Sequence, residues 1–143
     1  MYEKILVPVS MSQLEDDVVR HAIEHAVNHD SELHAVHVVA EQILEKMEED
    51  DSREPSGVGS KSSREVLSDV EQKIPDDIEF TSQKLGGSPS SSIVQYANEN
   101  NIDLIVMGTH GRSGMKRYIL GSVAEEVVRN SNCPVLTVEL TEE

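Results

Sequence analysis

Ile102-Asp-Leu-Ile-Val-Met107-Gly108-Thr-His-Gly111-Arg-Ser-Gly114-Met-Lys-Arg-Tyr-Ile-Leu-Gly121-Ser122 is an apolar run, then a glycine-rich basic loop, then the start of an amphipathic segment. A strand that runs through such a loop into a helix is a common way to bind phosphate. Glycines let backbone N–H groups approach an anion, and the helix start adds unpaired donors and the positive end of its dipole. Arg112, Lys116 and Arg117 are three of the chain's 12 Lys and Arg residues, all within one short stretch. They suit an anionic ligand; the simpler alternative is that they balance Glu125 and Glu126. Ser122 can cap the helix and hold a phosphate oxygen with one hydroxyl.

The same alternation of strand and helix extends in both directions. Ile5-Leu-Val-Pro-Val9 has the unbroken apolar character of a buried parallel strand. Ser12-Gln-Leu-Glu15 reads as a capping box, and Leu14, Val18, Ala22 and Ala26 mark the inner face of a helix to about Asn28. Ser31–Val39 is a second strand. Residues 41–63 are acidic, then Gly/Ser-rich, and predict a flexible connection with a short helix around Gln42–Met47. Helical spacing resumes over Ser63–Ile74 and stops at Pro75. Ile78–Leu85 alternates in the manner of an edge strand. Ser88 and Pro89 open the next helix as cap and first residue. Ile102–Met107, Ile119–Arg129 and Pro134–Leu140 supply strand, helix and strand. The pattern predicts one α/β domain over residues 1–143, with a five-stranded parallel sheet and helices on both faces. Ligands of such sheets sit beyond the strand carboxyl ends, where strand order reverses.

Composition narrows the partners. A formal charge of −15 over 143 residues opposes nucleic acid binding and suits a surface that stays hydrated in high salt, a halophilic trait. No segment has the roughly 18 apolar residues of a membrane span, and the start reads as a strand rather than a signal peptide. The single Cys133 makes neither an internal disulfide nor a metal motif, so a cytoplasmic protein is expected.

These residues resemble the universal stress protein family over nearly the whole chain. The nucleotide-binding branch of that family carries G-x2-G-x9-G-[ST], and Gly108, Gly111, Gly121 and Ser122 match it at every spacing. Lys4–Val9 (K-I-L-V-P-V) and Asn132–Val138 (N-C-P-V-L-T-V) add to the likeness. The resemblance implies an adenine nucleotide alpha-hydrolase-like sheet of order 3-2-1-4-5. It also implies ATP, or AMP or ADP, between strands one and four, with Mg²⁺ accompanying the nucleotide. The implied contact residues are Pro8, Val9, Ser10, Val38, Met107, Gly108, Gly111, Arg112, Gly114, Gly121, Ser122 and Val123. It further implies an archaeal, stress-responsive regulatory protein that dimerises through Pro134–Leu140. One position departs: the family's V-P-V-D-G-S reads Val7-Pro-Val-Ser10-Met-Ser12, so an uncharged hydroxyl replaces a carboxylate beside ribose or metal.

Other chemistry is weaker. His21, His25 and His29 have metal-compatible helical spacing but border an apolar face with no carboxylate partner. His110 lacks a nucleophile in register, and Cys133 and Met107 read as packing. A phosphoacceptor receiver domain fails for want of acids where Ser10 and Gly108 stand. Three functions remain: a nucleotide-binding regulator, an ATPase using Lys116 or Arg117 on developing charge, and an adaptor whose site is decaying.

Overall fold

The computed structural model describes residues 2–9, 16–39, 62–108 and 122–138. In chain order these form β1 (Lys4–Val9), α1 (Asp16–His29), β2 (Glu32–Val39), α2 (Ser63–Glu71), β3 (Phe80–Gly86), α3 (Pro89–Glu99), β4 (Leu104–Gly108), α4 (Ser122–Asn130) and β5 (Val135–Val138). All strand pairs are parallel, and the sheet order is β3-β2-β1-β4-β5. The expected fold class and strand order are therefore those observed.

Each sheet face builds its own apolar cluster. Alternation in β1 sends Ile5, Val7 and Val9 to one side, where they meet Val18, Ala22 and Ala26 of α1 and Val66, Leu67 and Val70 of α2. Leu6 goes to the other side, with Val36, Ile105 and Met107, under Ile93, Tyr96 and Ala97 of α3 and Ala124 and Val127 of α4. Ile5, Leu6, Val7, Ile105 and Val106 are wholly buried, as strands covered on both faces require.

Helix ends are set by local chemistry. Asp30 and Asn101 take left-handed backbone (φ 56° and 57°) after α1 and α3. Behind them, Ser31 N–H donates to Ala26 and Ile102 N–H to Ala97, each at 2.9 Å, closing the helices with a residue type that tolerates this conformation. Ser62 caps α2 in a full capping box with Glu65.

Several local expectations need correction. α2 ends at Glu71 rather than Ile74, because the chain turns over Gln72–Ile74 ahead of Pro75. β3 begins at Phe80; Ile78 is buried ahead of it as part of the core. Thr81–Lys84 are all exposed, so the edge strand is open on both faces rather than one. Ser88 occupies the cap of α3, yet its side chain makes no capping hydrogen bond. The Ser12–Glu15 capping box, the connection over 41–61 and Ile119 at the predicted start of the last helix lie outside the described residues.

Candidate functional site

β1 leads through α1 to β2 on one side, while the chain returning from β3 through α3 enters β4 on the other side. Strand order therefore reverses between β1 and β4. The ladders there are unequal. β1 pairs with β2 up to Val9–His37, and β4 pairs with β5 up to Gly108–Val138. Between β1 and β4, pairing among the described residues runs over Ile5–Leu104 and Leu6–Ile105. The carboxyl-terminal halves of these two strands thus bond outward to their other neighbours, which leaves a seam between them.

Of the candidate residues, Pro8, Val9, Val38, Met107, Gly108, Ser122 and Val123 are among those described. Pro8 and Val9 end β1 and are buried. Met107 and Gly108 end β4; Met107 is 5% exposed and walls the entrance, while Gly108 is half-buried. Val38 is half-buried near the end of β2. Ser122 is exposed at the first residue of α4, where unpaired N–H groups and the helix dipole favour an anion. Val38, Met107 and Val123 belong to one apolar cluster, on the face covered by α3 and α4. Val9 lies on the opposite face. Ser10, His110, Gly111, Arg112, Gly114, Lys116, Arg117 and Gly121 lie outside the described residues.

Two acids of α4 have partners among the described residues. Glu125 pairs with Arg129 at 3.1 Å, and Glu126 accepts from Ser90 Oγ at 2.5 Å.

Sequence reasoning missed two histidines on β2. His37, 3% exposed, stands level with Val9 and has Nδ1 2.6 Å from Ser63 Oγ at the start of α2. His34 is buried nearer the strand's start and contacts Tyr96 and Glu32. A polar residue inside an apolar run was the available signal. On α1, His25 and His29 stack in parallel with centroids 6.0 Å apart, and Tyr2 meets His29 edge-on. His25 Nδ1 is buried without a hydrogen-bond partner among the described residues. Among the described residues no group of three or more ligands could hold a metal. Cys133 is half-buried two residues ahead of β5 and packs against the apolar cluster under α3 and α4.

The family model described as "Universal stress protein family" matches residues 1–139. A universal stress protein of Methanocaldococcus jannaschii, MJ0531, is 35% identical over 97% of this chain and 83% of its own length. The solved structure of MJ0577, from the same organism, superposes with a TM-score of 0.79 at 25% identity, covering 100% of this chain and 99% of that one. The universal stress protein of Archaeoglobus fulgidus in complex with dAMP gives a TM-score of 0.67 at 26% identity, over 96% and 98% of the two chains. No helix among the described residues is long and apolar enough to cross a membrane.

Proposed function

We propose that this chain, which belongs to the universal stress protein family, is a regulatory module that binds ATP or a related adenine nucleotide. Occupancy, rather than turnover, carries its stress-response signal. The observation that carries this reading is the seam between β1 and β4. It lies where strand order reverses, beside the β4 strand that ends at Gly108 and leads on in sequence to α4 at Ser122. The A. fulgidus relative, solved in complex with dAMP, supports an adenine nucleotide as the ligand class.

In this reading the triphosphate lies along Gly108, Gly111, Gly114 and the Gly121-Ser122 turn, with Arg112 beside it. Pro8, Val9, Ser10 and Val38 face the nucleoside, and Met107 and Val123 form the apolar wall. Ser10 offers one hydrogen bond and no charge, so Mg²⁺ is held mainly by the phosphates. The remaining parts of the proposal are a single domain, a homodimer built on Pro134–Leu140, a cytoplasmic location and a halophilic source. The acidic surface supports the last of these.

Native mass spectrometry of gently purified protein tests the proposal. Co-purifying ATP, ADP or AMP in stoichiometric amount is the expected result. A chain that carries no nucleotide and takes none up from millimolar ATP would favour the adaptor reading.

A further inference from the structure

Outside the candidate site, Glu32, His34 and Tyr96 form a continuous line of titratable groups. Glu32 Oε2 lies 2.9 Å from His34 Nε2, and His34 Nδ1 lies 2.7 Å from the Tyr96 hydroxyl. His34 and Tyr96 are 5% and 6% exposed, whereas the Glu32 side chain keeps 30% of its surface. The line starts at the amino end of β2, the opposite end of the strands from the candidate site, and crosses to α3.

Its chemistry has a direction. A carboxylate only accepts, so the Glu32 contact places a proton on Nε2. The neutral ring then presents Nδ1 as a lone pair, to which Tyr96 donates. Both ring nitrogens and the hydroxyl proton are satisfied in this arrangement. Burial, and secondarily the charge of Glu32, hold the Tyr96 hydroxyl above its ordinary range, which keeps it a donor.

A proton added to His34 reverses one link. Nδ1–H and the tyrosine O–H would then meet head-on across 2.7 Å. The hydroxyl must turn away, and a buried donor that loses its acceptor is unfavourable. Among the described residues, the charged or titratable groups in contact with His34 are Glu32 on its own strand and Tyr96 from α3, and Lys4 of β1 lies two residues from the register partner of His34. Lys4 is in register with Glu32, and its ammonium reaches the Asn100 carbonyl. Asp103, ahead of β4, accepts from the Glu3 and Lys4 backbone. β3 contributes the uncharged Thr81 in register.

We infer that Glu32, His34 and Tyr96 form an acid-sensitive latch, which seats α3 on β2 while His34 is neutral and loosens when it takes a proton. Because Ser90 of α3 donates to Glu126 of α4, the latch reaches the helix that opens with Ser122.

The test combines histidine ring ¹⁵N NMR with amide hydrogen exchange from about pH 8 to about pH 5, the interval in which imidazole changes charge. The wild-type chain is compared with His34→Gln, since glutamine retains a donor for Glu32 and an acceptor for Tyr96 but does not titrate. Expected are a proton on Nε2 at the alkaline end and an acid-induced loss of about tenfold in α3 protection. His34→Gln lacks that loss, and protection of β1 does not change. A neutral ring protonated on Nδ1, an equal α3 response in His34→Gln, or no response in the wild type would each overturn the latch. The tautomer is read on the wild-type chain, so it decides the assignment even where the variant does not fold.

Discussion

Tyr96 and His34 join α3 to β2 through a hydroxyl–imidazole contact of 2.7 Å, buried on both sides. Tyr96→Phe removes the donor and leaves Nδ1 unsatisfied, which should cost about 1–3 kcal/mol in urea unfolding. The pH dependence has a definite sign. The folded-state pKa of Tyr96 is raised above the ordinary 10.0, so the folded protein retains a proton that the unfolded chain gives up. The stabilisation is therefore complete below about pH 10 and is lost as pH rises above it toward the folded value. Tyr96→Phe should lack this alkaline decline; an identical decline in both proteins would assign it elsewhere.

Ser62 accepts from the Glu65 N–H at 3.2 Å while its own N–H donates to Glu65 Oε1 at 3.0 Å. Ser62→Ala should lower stability by about 1 kcal/mol, with the loss concentrated in α2 by hydrogen exchange. A change confined to other elements would contradict the cap.

Leu6 is wholly buried between β1's neighbours and the α3–α4 layer, whereas Val128 is 47% exposed. Leu6→Ala should destabilise by about 2–5 kcal/mol, through lost transfer energy and the cavity left behind. Val128→Ala should stay within about 0.5 kcal/mol. Similar values for the two would contradict the layer assignment.

The parts of the fold that could be read from sequence are those whose signal is local. Ile5–Val9 and Leu104–Met107 are unbroken apolar runs, and Val18, Ala22 and Ala26 repeat at helical spacing; each pattern follows directly from burial. Gly108 and Ser122 stand out in the sequence because their spacing fits one ligand chemistry, and the proposed site rests on that spacing. His34 was passed over because its meaning depends on Tyr96, 62 residues away. His37 was missed for the same reason, since its partner Ser63 follows a long connection. The Ser62 cap was hidden in a serine-rich stretch, and the openness of β3 depends on which elements cover it, which its own alternation does not encode.

With a formal charge of −15, self-repulsion should weaken the fold at low ionic strength and be screened by salt. Tm should rise between about 0.1 M and about 2 M KCl, a span over which the screening length falls below about 3 Å. A Tm lowest in molar KCl would contradict the halophilic reading.

In the proposed binding mode, the seam between β1 and β4 holds an adenine nucleotide through the loop from Gly108 to Ser122. Calorimetric titration of ATP into the wild-type chain and into Gly111→Val and Gly121→Val tests it most directly, with circular dichroism to check that each variant folds. Saturable binding by the wild type and a loss of at least about tenfold, or about 1.4 kcal/mol, in each folded variant are expected. A wild-type chain that binds no adenine nucleotide, or unchanged affinity in both variants, would contradict this binding mode.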